Sequence, residues 1–133
     1  LGSGVLTNDA TGSITTGILS NLKNVTTMAG TDTMTAAEGK CSVFTVTAAG
    51  TVTLTAATTV GQCFTAISTT AAVVSFDPAS ASDVIWLNGV ALAGGNKATT
   101  DATAGTGLSC INTLTNVWRC YSFGPGVVSD GGA

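Results

Sequence analysis

The chain has 133 residues with only four basic and seven acidic side chains and no histidine, which describes one domain of moderate size with very little charge. Four cations cannot neutralise a run of phosphates, so nucleic-acid binding is disfavoured, and the lack of histidine excludes His-based triads and His-containing metal sites. No apolar run reaches the roughly 20 residues that span a bilayer, so we expect no membrane partner. A surface so poor in charge associates readily, and we expect its neutral faces to be covered by copies or partners.

Residues 1–35 differ from the rest of the chain, because they contain no aromatic side chain and are interrupted by Gly, Ser, Thr and Asn. Four apolar residues could line one face of a helical segment of one or two turns: Ile14, Ile18, Leu19 and Leu22. The many Thr and Gly residues disfavour anything longer. We predict an extended N-terminal arm over residues 1–35 that becomes ordered against a neighbour, followed by a folded domain over residues 36–133.

From residue 40 onward, apolar and polar side chains alternate in short segments. The segments with this pattern are 41–47, 51–55, 62–68, 71–76, 83–87, 90–92, 107–113 and 116–123. Asn88-Gly89, between two of them, is the strongest hairpin signal in the chain, and the glycine-rich tail 124–133 is expected to be loose at its end. The spacing predicts an all-β domain, an antiparallel β-sandwich or small barrel of about eight short strands.

The four cysteines form an even set without a Cys-x-x-Cys pair. Disulfides, reduced buried thiols and a site of four thiolates on a metal are the alternatives, and we favour disulfides, which imply an oxidising or extracellular location. Folding the last predicted hairpin about Thr115 places Cys110 opposite Cys120, within reach of a bridge, and Asn112 opposite Trp118.

The other two cysteines are paired by an argument from parity. If the even-numbered Phe44 and Phe64 point inward, the odd-numbered Cys41 and Cys63 lie on the opposite face and can meet. We therefore predict the bridges Cys41–Cys63 and Cys110–Cys120.

Motifs for catalysis are nearly absent. Ser20 and Lys23 match a bare Ser-x-x-Lys pattern whose companion elements are missing. Asp77 and Asp83 could be read as a carboxylate pair for glycoside chemistry, but Asp77 precedes Pro78 in a turn and Asp83 precedes a strand. We expect no catalytic residue, no cofactor and no metal site, and hence a protein that is not an enzyme.

Three aromatic residues of the second half allow two interpretations. Trp86, Trp118 and Tyr121 could form a platform on which a sugar stacks. Because the chain has only seven aromatic residues, we favour a role in the core or in a subunit interface.

The sequence from residue 34 to 132 resembles domains of tailed-bacteriophage virion proteins, such as head-decoration, head-fibre and tail-fibre domains. The matching runs are 34–40, 44–46, 51–56, 60–67, 85–89 (Ile-Trp-Leu-Asn-Gly), 105–107, 116–118 and 128–132. Thr55 stands where such domains usually have proline, and four cysteines are atypical of them.

The resemblance implies an all-β domain that trimerises on a virion surface, and it carries over no catalytic residue. We therefore expect a structural virion protein, either a capsid decoration (cement) subunit or a short head fibre, whose partners are the major capsid protein and sister subunits. The alternatives are a receptor- or glycan-binding fibre module and an extracellular filament or surface-layer subunit, in which residues 1–35 would pair with a neighbour's sheet edge.

Overall fold

The structure is a computed structural model, and it describes residues 7–8, 14–15 and 25–133. The described residues form strands and turns and contain no helix, so none of them forms a helical membrane span. The strands in chain order are β1 (Thr7–Asn8), β2 (Ile14–Thr15), β3 (Val25–Met28), β4 (Asp32–Thr33), β5 (Lys40–Val46), β6 (Gly50–Thr53), β7 (Cys63–Ser68), β8 (Val74–Asp77), β9 (Val84–Leu87), β10 (Val90–Ala91), β11 (Ala98–Thr100), β12 (Gly107–Leu114), β13 (Val117–Phe123) and β14 (Val128–Asp130).

Two sheets make up the domain. The larger has seven strands in the order β10-β9-β13-β12-β7-β5-β3, and the smaller has five in the order β14-β11-β8-β6-β4. Strands β1 and β2 pair with each other as a separate two-stranded sheet. The predicted all-β, sandwich-like fold is confirmed, since buried side chains from both larger sheets form one apolar core.

The strand directions differ from the antiparallel expectation. From β3 to β8 the chain alternates between the two sheets, so that β3, β5 and β7 run parallel in one sheet and β4, β6 and β8 run parallel in the other. We call residues 25–77 the two-sheet coil. The turn at residues 48–50 fits a hairpin in sequence, but it carries the chain across to the opposite sheet instead of back along its own. The sheets are therefore mixed.

Close approach of successive turns fixes the spacing of the coil. The turn that enters β6 lies against the turn between β3 and β4, and a Cβ on Gly50 would collide with the backbone of Gly30 and Thr31. On its other side, the Gly50 amide donates to the carbonyl of Val73 at 3.2 Å. Glycine is required here because no side chain fits between the stacked turns.

The core is centred on aromatic rings. Phe64 of the larger sheet meets Trp118 edge-on, with ring centroids 5.6 Å apart, and lies 6.1 Å from Phe76 of the smaller sheet. Phe44 packs against Phe64 at 6.0 Å. Burial of these rings accounts for much of the apolar contact that holds the two sheets together.

The sandwich begins earlier than residue 36. Residues 25–34, which the sequence assigned to the arm, supply edge strands to both sheets, and Met28 and Met34 are buried in the core. Of the apolar residues considered for a helical segment, Ile14 lies in β2, whereas Ile18, Leu19 and Leu22 lie outside the described residues. Ordering of the arm against a neighbour stays a prediction.

Candidate interaction face

Both predicted disulfides are present. Cys110 and Cys120 lie directly opposite each other on β12 and β13, with their Cα atoms 4.1 Å apart, and both side chains are buried. Cys41 and Cys63 are bridged between β5 and β7, with their Cα atoms 4.3 Å apart and their side chains half-buried on the outer side of the larger sheet.

A β-bulge at the start of β5 positions the outer bridge. The register of β5 on β7 steps from Lys40↔Cys63 to Ser42↔Phe64, so Cys41 is the extra residue, and its φ of 60° is left-handed. Beyond the bulge, Ser42 and Phe44 point inward. The parity argument therefore places Cys41 and Cys63 on the same outer side, as predicted.

The outward-facing residues of the larger sheet form three cross-strand rows, which we call the apolar face. The first row is Cys41, Cys63, Ile111, Arg119 and Trp86; the second is Val25, Val43, Thr65, Ser109 and Tyr121; the third is Thr27, Thr45, Ile67, Gly107 and Phe123. Within these rows Arg119 is the one charged residue, and the exposed Lys40 borders the first row as the register partner of Cys63. Their composition is that of an interface core rather than of an ordinary solvated sheet surface.

Large side chains stand out from this face. Val25 is 64% exposed, Tyr121 60% and Ile111 44%. Phe123 lies over Gly107 on the neighbouring strand, where a Cβ would collide with its ring. The guanidinium carbon of Arg119 lies 4.7 Å from the centre of the Trp86 ring, so the one cation is held against an aromatic side chain.

A groove of about 260 Å³ opens in the middle of the apolar face. Its lining includes the Cys41–Cys63 bridge, Ile111, Arg119 and Tyr121. The hydroxyls of Thr65 and Ser109, also in its lining, are 2.9 Å apart and hydrogen-bond to each other. The groove therefore combines apolar side chains, a pair of hydroxyls, an aromatic rim and one cation.

The outward side of the smaller sheet is different. Its two cross-strand rows, which we call the hydroxyl face, are Thr51, Ser75, Thr99 and Ser129, and Thr33, Thr53 and Asp77. The hydroxyls of Ser75 and Thr99 hydrogen-bond at 2.9 Å. One side of the sandwich is thus suited to water and the other to a partner.

The three aromatic residues considered as a sugar platform lie in different parts of the structure. Trp118 lies in the core with no exposed surface, so it cannot stack on a sugar. Trp86 and Tyr121 both lie on the apolar face, which neither hydropathy nor spacing alone indicated. The alternation of outward residues on six neighbouring strands carried the signal, but the face could be recognised only once the strand order was known.

The two aspartates considered for catalysis lie in different surroundings. Asp83 is buried, and its Oδ2 accepts a hydrogen bond from the Ala57 amide at 3.3 Å, whereas Asp77 belongs to the hydroxyl face. Ser20 and Lys23 lie outside the described residues. Within the ranges that the structure describes, no group of three or more His, Cys, Asp or Glu residues is placed to hold a metal.

Comparison of the chain with protein-family models, with curated proteins and with solved structures gives no match. The functional argument therefore draws on the sequence, the fold and the apolar face.

Proposed function

We propose that the protein is a structural virion protein, a capsid decoration (cement) subunit or short head fibre, that acts at the virion surface in an extracellular setting. It binds the major capsid protein and sister subunits, as a homotrimer, and stabilises the shell because it binds the assembled state and not the dissociated one. The support comes from the resemblance in the sequence, the scarcity of charge and the two disulfides, which suit an oxidising environment.

The apolar face is the observation on which the proposal depends. Monomeric soluble proteins rarely expose contiguous apolar patches larger than a few hundred Å². Here the apolar face extends over six neighbouring strands, with the exposed side chains of Tyr121, Ile111 and Val25 projecting from it. A surface of this kind is expected of a subunit that functions when it is covered.

Immunogold electron microscopy of particles from the native source tests the proposal. Antibody raised against the purified protein should label the outside of intact particles at regular positions. Particles stripped of the protein should lose their heat resistance and regain it when the protein is added back. Absence of label from the particles, or unchanged heat resistance after stripping, would refute the virion role.

The groove favours a second candidate, a receptor- or glycan-binding module. Tyr121 at its rim and Arg119 beside it are side chains that can stack on a sugar ring and pair with an acidic substituent. If this candidate is correct, Tyr121→Ala abolishes binding on a glycan array without lowering the melting temperature, whereas Thr53→Ala on the hydroxyl face leaves binding unchanged.

A further inference from the structure

The apolar face is large enough for a small subunit contact. Its rows together cross six strands, β9, β13, β12, β7, β5 and β3. The five spacings between them, at about 4.8 Å each, give a width of roughly 24 Å. Three rows at about 7 Å intervals, with side-chain width added, give a height of roughly 20 Å. Width times height gives a projected area of roughly 480 Å², somewhat more than half of the roughly 800 Å² that each partner buries in a standard specific interface.

We propose that copies of this chain associate with one another through the apolar face, while the hydroxyl face stays in water. This inference rests on the proposed function, which requires sister subunits, and it assigns the surface that joins them. The occupant of the apolar face is thus a second copy of the chain, and in the homotrimer each face meets the next copy around the threefold axis.

Self-complementarity favours a copy over an unrelated partner. The face carries both a projection, the Tyr121 ring, and a recess, the groove of about 260 Å³ beside it. Each copy can therefore insert its ring into the groove of the next copy and receive the ring of the previous one, which closes a cycle of three.

The charges of the face agree with a copy as the occupant. None of the three rows contains a carboxylate, so the face has no group that would select a basic partner. The one cation, Arg119, already lies on Trp86, and a guanidinium is weakly hydrated, so its burial against a neutral surface costs less than that of an ammonium.

Sedimentation velocity of the intact protein, between about 1 and 100 μM, tests the inference. The wild-type chain should sediment as a multiple of its 13.0 kDa monomer. Ile111→Lys, in the middle of the first row and in the lining of the groove, should raise the dissociation constant at least about 30-fold, the loss expected at an interface hot spot. Tyr121→Glu should have a similar effect, and the circular dichroism spectra and melting of the monomeric variants show that each is folded.

Thr53→Lys is the matched control, because it adds the same charge to the hydroxyl face, opposite Asp77. It should leave the mass unchanged. A wild-type protein that is monomeric at 100 μM, or an assembly that survives both face variants, would overturn the inference.

The outcomes separate this inference from the proposed function. Assembly through the apolar face without any labelling of particles would support the inference and refute the virion role. Particle binding by a monomeric wild type that Ile111→Lys abolishes would place the capsid on this face, keep the virion role and overturn the inference.

Discussion

Asn112 lies directly across from Trp118 in the β12–β13 hairpin, and both side chains point into the core with no exposed surface. The Asn112 amide nitrogen donates to the carbonyls of Leu114 and Val117 at 2.8 and 2.9 Å, which closes the irregular end of the hairpin. The Trp118 ring packs edge-on against Phe64. The two opposed residues thus connect the end of the hairpin, which Asn112 holds by hydrogen bonds, to the aromatic core, in which Trp118 packs.

Trp118→Ala should lower the free energy of unfolding by about 3–5 kcal/mol, because it empties the largest buried site of the core. Urea denaturation followed by circular dichroism measures this loss. Trp86→Ala, which removes a half-buried ring from the outer side, should cost less than about 1.5 kcal/mol. Equal losses in the two variants would contradict the assignment of Trp118 to the core.

Asn112→Ala should destabilise the protein by about 1–3 kcal/mol, because two carbonyls of the hairpin end lose their donor. Asn96→Ala is the control, since its amide binds the exposed Asp130 carboxylate. Chemical denaturation of both variants checks the difference. A neutral Asn112→Ala would show that the hairpin closes without this side chain.

The two disulfides should differ in their reduction. With both bridges formed, the intact protein is about 4 Da lighter than its reduced form, and no thiol is labelled in native protein. A mild thiol reductant without denaturant should open Cys41–Cys63 first, because a thiolate must reach the sulfur and Cys110–Cys120 is buried. Peptide mapping after alkylation identifies the first bridge to open, and initial labelling at Cys110 or Cys120 would contradict the burial.

Strand β3 should be part of the folding unit. Met28→Ala should cost about 2–5 kcal/mol, because the side chain is fully buried. A chain that begins at Thr31 should likewise melt at a lower temperature than one that begins at Val25, since only the latter retains β3 and its pairing with β5. Identical melting of the two truncations would return residues 25–30 to the arm.

Gly50→Ala should destabilise strongly, by more than about 2 kcal/mol, because the new methyl group would collide with the Gly30–Thr31 backbone. Gly61→Ala is the comparison variant: its φ of +96° strains any side chain, but no atom lies within 4 Å of the added carbon, so it measures backbone strain without a collision. Thermal melting ranks the two variants. A milder effect at Gly50 than at Gly61 would mean that the stacked turns separate easily.

Much of the fold could be predicted from local patterns. The strands around Phe44, Phe64 and Trp118 were predicted to within a few residues, because alternation reports a half-buried strand whatever its partner. The turn at Asn88-Gly89 could also be predicted from its two residues alone. Both have positive φ in the structure, as a tight hairpin turn requires. The Cys110–Cys120 bridge followed from the register of one hairpin.

Strand direction and short edge strands could not be predicted in the same way. Alternation in β5 and β6 is identical whether the turn between them returns to the same sheet or crosses to the other. Strands β4, β11 and β14 have two or three residues each, too few for a period to show. Strands β4 and β11 are held by pairing to the longer strands β6 and β8, and β14 pairs with β11. Prediction of the apolar face would have required both the direction and the order of the strands, because its rows cross strands that are distant in sequence.

The two-sheet coil restricts how the length of such a chain can change. Val25 pairs with Val43, and Val43 with Thr65, so a full turn of the coil takes 18 residues in one case and 22 in the other. An insertion of one whole turn would widen both sheets by a strand and leave every inward residue inward. An insertion of half a turn would move every later strand to the opposite sheet. Phe64 and Cys63, for example, would then belong to the smaller sheet instead of the larger one. Domains of this architecture are therefore expected to grow and shrink by duplication or loss of complete turns, each of which would extend the two outer surfaces together.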